Sequence, residues 1–164
     1  MPKANKIRVL GIDPGLRVAG YGCVTYVQSA HRMSLVEAGA IKLDITKVVS
    51  HRLQQLWDDI TEIISDVSPD LVAVETVFTH TRHVGTAITL GHARGVILLA
   101  IEQAGLPLIE ISPAEIKKSM TGNGRSSKSQ IQRAVAYILD LKDVPDPPDV
   151  ADALAIGITG AMRS

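Results

Sequence analysis

The stretch from residue 48 to residue 75 constrains the fold more than any other part of the chain. Leu53, Leu56, Trp57, Ile60, Ile63 and Ile64 recur at helical spacing and predict a helix over about Val48–Val67. "SPD" stops it, and "LVAVE" follows as a short apolar strand that ends on a carboxylate, Glu75. A strand this apolar belongs inside a sheet. Reached through a long crossover, it lies parallel to an earlier strand, in a right-handed connection. The earlier strand is "IRVLGID", which is also apolar (Ile7, Val9, Leu10, Ile12) and also ends on a carboxylate, Asp13, before a Pro-Gly turn. A charge at the end of a buried strand is costly unless something compensates it.

The remaining elements fall around that pair. Gly20–Gln28 and Met33–Ile41 read as strands that continue the first into an antiparallel meander. A second helix is predicted from Val84 to Gln103, followed by the short strand "PLIEI". "SPAEIKK" then opens a helix with Ser112 as N-cap, Pro113 at the first position and Glu115 completing a capping box. "TGNG" ends it, and Ser127 with Gln130 forms the next capping box, for a helix to about Leu139. The prolines at 145, 147 and 148 precede a last helix, about Asp149 to Met162. The predicted fold is a mixed α/β sheet of about five strands with helices on its faces.

If the strands ending at Asp13 and Glu75 are neighbours, both carboxylates emerge in the crevice where open α/β sheets bind ligands. Asp149 and Asp152, three apart, share one face of the last helix. Several anions in one cleft repel and take up protons unless a cation is shared. Hard oxygen ligands suit Mg²⁺ or Mn²⁺. Each residue also has a blander reading: Asp13 as a turn former, Asp149 as an N-cap, Asp152 as a solvated charge. Glu75 resists one, and the set together favours a metal site.

Length and charge narrow the context. At 164 residues the chain is expected to be one domain, 1–164, with residues 1–6 as a disordered tail. No uncharged apolar run approaches bilayer length, no signal-peptide core follows "MPKANK", and Cys23 has no partner for a disulfide, so a cytoplasmic protein is expected. Net charge is zero, but Lys117, Lys118, Arg125, Lys128 and Arg133 fall within 17 residues that hold no acid. Such a segment suits phosphate, and Lys128 sits in the first turn of a capped helix, where free N–H groups favour anions. Phe78, the only phenylalanine, lies in the polar stretch "TVFTHTRH", where it can stack on an unpaired base or fold back onto the core. His80, Arg82 and His83 are possible phosphate contacts beside it. Gly91 and Gly95, with Ala87 and Ala100, give one helix a small-residue face suited to close packing within or between chains.

The stretches "GIDPGLRVAGYG", "VAVETVF", "LGHARGV", "IKKSMTGNGRSSKSQIQ" and "DVADALAIGIT", in this order, resemble the RuvC Holliday junction resolvases of the ribonuclease H-like superfamily. The resemblance covers nearly the whole chain. It implies a ribonuclease H-like fold, a five-stranded mixed sheet with helices on both faces. It also implies a homodimer that nicks two opposed strands of four-way junction DNA using divalent metal: Mg²⁺, with Mn²⁺ a possible substitute, two ions per active site. Its acidic ligands map onto Asp13, Glu75, Asp149 and Asp152, with Asp13 the best candidate to bridge the ions; some members carry His at the position of Asp149. Its DNA contacts map onto Lys117 and Lys128, and onto Phe78 in the base-stacking role; Arg82, Lys118 and Arg125 join them as candidates. Coupling to the RuvA–RuvB branch-migration complex is part of the same expectation. Two other readings stay open: an actin-like phosphotransferase, which needs a longer chain and a second phosphate loop, and a junction binder with vestigial carboxylates.

Overall fold

The computed structural model describes residues 5–76 and 83–164. Five strands form one sheet in the order β3-β2-β1-β4-β5: β1 Lys6–Asp13, β2 Val18–Val27, β3 Arg32–Lys42, β4 Leu71–Glu75 and β5 Leu108–Ile111. β1, β2 and β3 are antiparallel neighbours, whereas β4 runs parallel to β1 and β5 parallel to β4. The helices are α1 Val49–Val67, α2 Val84–Gln103, α3 Pro113–Thr121, α4 Lys128–Ile138 and α5 Pro148–Arg163. The expected meander, parallel crossover and helix-covered sheet are all present.

Side-chain alternation sorts the core into two layers. Leu10 and Ile12 of β1, with Val72 and Val74 of β4, pack against Leu56 and Ile60 of α1 and Ile97 and Ile101 of α2. Val9 and Ala73 point the other way, onto Leu154, Ile156 and Ile158 of α5 and Ile116 and Ile131 of α3 and α4. β1 is therefore covered on both faces, as its apolar sequence requires.

Helix α5 lies unusually close to the sheet. A Cβ on Gly11 would stand 2.1 Å from the Ala153 carbonyl oxygen and 2.3 Å from the Gly157 nitrogen. A Cβ on Gly20 would stand 2.0 Å from the Asp149 carbonyl oxygen. Only glycine permits this approach, and it presses the first turn of α5 onto the end of β1.

Two expectations at element ends are corrected. The Ser112 hydroxyl accepts from the Glu115 N–H at 3.2 Å, but the Glu115 carboxylate pairs with Arg163 at 3.3 Å instead of closing the capping box. The box at Ser127 and Gln130 is complete. Of the six residues expected as a tail, Lys6 opens β1, and the Asn5 carbonyl accepts from the Gln28 N–H at 3.1 Å. Sheet pairing captures both. Residues 1–4 lie outside the described residues.

Candidate active site

Ile12 of β1 is paired with Val74 of β4, so Asp13 and Glu75 are the next residues on adjacent parallel strands. Ile12 and Val74 face α1 and α2; one residue on, the two carboxylates face α5. There Asp149 and Asp152, in the first turns of α5, meet them. Asp13, Glu75, Asp149 and Asp152 line one pocket of about 340 Å³ with Lys117, Lys128, Pro113 and Ile116. Asp149 is not the N-cap of α5: Pro147 holds that place, and Asp149 stands inside the first turn. Gly20 lies opposite Asp13 in the β1–β2 register, and it is the glycine on which Asp149 rests.

The electrostatics follow from this crowding. Burial, with repulsion from Asp152, Glu75 and Asp149, pushes the Asp13 carboxyl up to about 7, and Lys128 only partly opposes it. Burial and Asp152 likewise raise Glu75, while Lys117, Lys128 and Arg94 pull it down. Lys128 Nζ lies 2.9 Å from Asp152 Oδ2, and that bond raises the lysine further. The sequence order hid this cation, because Lys128 and Asp152 are 24 residues apart. Among the described residues no three acidic, histidine or cysteine side chains already stand in a metal-holding arrangement. The donor set nonetheless fits a hard divalent cation. It is all carboxylate, its innermost member is short of positive charge, and the ammonium paired with Asp152 hangs on an exposed, flexible stem.

The other candidates fall as follows. Lys117 lines the pocket beside Lys128; Lys118 and Arg125 are exposed outside it, on α3 and on the loop to α4. That loop is tied down: Asn123 Oδ1 accepts from the Arg125 N–H at 3.0 Å, and the Asn123 carbonyl accepts from the Ser126 N–H at 3.2 Å. His83 is the N-cap residue of α2, without a side-chain capping bond. Phe78, His80 and Arg82 lie outside the described residues. Arg94 was not among the expected residues. Its guanidinium donates to the Glu75 carbonyl at 2.6 Å and pairs with Glu110. The signal for it was a single arginine in the middle of an otherwise apolar stretch, "TLGHARGVILL".

Comparison with known proteins places the whole chain in a family. The family model for the crossover junction endodeoxyribonuclease RuvC matches residues 9–160. The chain belongs to the RuvC family of crossover junction endodeoxyribonucleases. Relatives bearing that description include one from Rhodopirellula baltica, 45% identical over 152 residues, covering 93% of this chain and 84% of the relative. Another, from Pelotomaculum thermopropionicum, is 43% identical over 153 residues and covers 93% of this chain and 92% of its own. Among solved structures, Thermus thermophilus RuvC in complex with a Holliday junction substrate superposes with a TM-score of 0.85 at 30% identity, covering 94% of this chain and 93% of that one. The RuvC-family assignment makes the chain a nuclease of the ribonuclease H-like fold.

Proposed function

We propose that this chain resolves four-way DNA junctions by paired, metal-dependent nicks, with the pocket at the ends of β1, β4 and α5 as its active site. The observation that carries the reading is the convergence of Asp13, Glu75, Asp149 and Asp152, from three elements, on one pocket rimmed by Lys117 and Lys128. Nucleases of this family depend on a divalent metal. In the finer assignment Asp13, Glu75, Asp149 and Asp152 would together hold two Mg²⁺ ions, replaceable by Mn²⁺. When bound, such ions activate a water for in-line attack and stabilise the charge that develops on the leaving 3′ oxygen.

The chain's own groups do the rest. Lys117 and Lys128 hold the scissile phosphate against the carboxylates, which would otherwise repel it. For Lys128 this means leaving Asp152 for a phosphate oxygen. Lys118 and Arg125, outside the pocket, extend the basic surface along the DNA backbone, and Phe78 and Arg82 act on the junction core and its phosphates. The active form is a homodimer joined through the outer face of α2, where Val84, Ile88 and Leu99 are exposed apolar residues at 73%, 54% and 51%. A two-fold substrate cut at two strands suits a two-fold protein. The helix is long and apolar enough to cross a membrane. Its buried residues Ala93, Ile97, Ala100 and Ile101, however, pack into the core of the domain. The reading is of one nuclease domain over 1–164, acting in the cytoplasm and working with the RuvA–RuvB complex.

A synthetic four-way junction incubated with Mg²⁺, Mn²⁺ or EDTA tests the proposal. Symmetric nicks with either metal, absent in EDTA and lost in Asp13→Asn while junction binding persists, are expected. Tight binding without nicking under either metal would leave only a junction binder. ATP turnover without DNA cutting would point to a phosphotransferase.

A further inference from the structure

We infer that Arg94 is a positioning residue for Glu75, clamping the end of β4 so that the Glu75 carboxylate stays aimed into the pocket. The inference rests on the proposed role of Glu75 and adds a residue from outside the pocket.

Arg94 sits in the middle of α2, and its side chain is only 13% exposed. A guanidinium that deep in an apolar helix is costly unless its donors are used. Both ends of its fork are. Nη1 donates to the main-chain carbonyl of Glu75 at 2.6 Å, and Nη2 pairs with the Glu110 carboxylate. Glu110 lies on β5 and is registered with Val74, the residue before Glu75. One planar group therefore joins α2 to the last residue of β4 and to the strand beside it.

The place of this contact gives it consequence. The pairing of β4 with β1 ends at Val74, so Glu75 stands one residue past it. On the β5 side the Thr76 N–H donates to the Ile111 carbonyl at 2.8 Å. Arg94 supplies a charged anchor at the same point from a different element. Its bond is to the carbonyl, so it leaves the Glu75 carboxylate free to act. A charged donor on a carbonyl is worth roughly twice a neutral one. Without it, the residue that ends β4 gains freedom where positioning matters, and misplacement by about 1 Å can cost on the order of 100-fold in rate.

The test uses the full chain with Arg94→Met, Arg94→Lys and Glu110→Gln. The readouts are single-turnover nicking of a synthetic junction, junction affinity, Mn²⁺ affinity without DNA, and the urea midpoint. Arg94→Met is expected to nick at least about tenfold more slowly and to bind Mn²⁺ more weakly, with junction affinity within twofold of the parent. Arg94→Lys, which keeps the charge but not the fork, should recover part of both losses. Glu110→Gln, which keeps the carbonyl bond, should lose only a few-fold. Folded Arg94→Met with the parent's rate and Mn²⁺ affinity overturns the inference, as does a rate loss matched by an equal loss of junction affinity. If Arg94→Met does not fold, Arg94→Lys with parental rate and Mn²⁺ affinity overturns it. A parent that neither nicks nor binds Mn²⁺ overturns the proposed function and this role with it, whereas a parent that does both leaves any failure with Arg94 alone.

Discussion

Removing the charge of Asp13 should make the metal-free protein more stable at neutral and alkaline pH, although it destroys the proposed catalytic centre. Asp13 is held near pH 7 in the folded chain, chiefly by burial and then by its three acidic neighbours, against an ordinary value of 3.8. The sign follows from proton binding. Below pH 3.8 both folded and unfolded chains carry the proton, and the site costs nothing. Between 3.8 and 7 the unfolded chain loses its proton while the folded chain keeps it, so stability falls as pH rises. Above 7 both are ionised and the full cost is present. About three pH units at 1.36 kcal/mol each set a ceiling of about 4 kcal/mol. Local relaxation and water entry lower this, so about 2–4 kcal/mol is the working range. Asn cannot ionise and escapes the cost. Urea unfolding of parent and Asp13→Asn in EDTA, from pH 4 to pH 8.5, should give a gap that is small at the acid end and grows in favour of the variant. The difference between the two proteins reports Asp13 together with its repulsion of Asp152, Glu75 and Asp149. Added Mg²⁺ should stabilise the parent and narrow the gap. A variant no more stable than the parent at pH 8.5, or a gap that does not change with pH, would refute the reasoning.

Lys128→Ala should weaken junction binding and reduce the slope of log affinity against log salt by about 0.9, one phosphate contact's worth; an unchanged slope removes Lys128 from the DNA surface. Gly20→Ala should cost about 1–3 kcal/mol by overpacking and displace Asp149. Nicking by the folded fraction should therefore fall much more than junction binding, and parental nicking per folded molecule would show that α5 need not sit so close. Ile88→Glu, on the exposed face of α2, should give a monomer by analytical ultracentrifugation that still folds. A dimer that survives the substitution would place the interface elsewhere.

The fold was largely legible because its strongest signals are local. Periodicity over Val49–Val67, the apolar run "LVAVE" and the Ser127–Gln130 box each depend on a few consecutive residues. The four carboxylates could be proposed as a group because strand ends and helix starts are themselves local features. What lay beyond the sequence was pairing across the chain. The Lys128–Asp152 contact spans two helices that packing alone brings together. The Glu115 side chain looked committed to a capping box, yet Arg163, almost 50 residues away, is the stronger attraction. Arg94 went unnoticed, because its partners lie on two strands that no spacing rule connects to it.

The glycines of the sheet and the charge of the cleft belong to one arrangement. Asp149 and Asp152 reach Asp13 only because Gly11, Gly20 and Gly157 let the α5 backbone touch β1 and β2. That contact gathers the carboxylates against the packed end of the sheet, and burial becomes the largest influence on Asp13. The same close packing that assembles the site therefore makes it costly without a cation. Pushing α5 off the sheet with a Cβ at Gly20 and neutralising Asp13 should both act on one quantity, the repulsion inside the cleft. A double variant, Asp13→Asn with Gly20→Ala, should consequently depart from additivity, because moving Asp149 away changes the repulsion that the Asn has already abolished. Strict additivity in EDTA at pH 8.5 would mean that the seating of α5 and the charge of the cleft are independent.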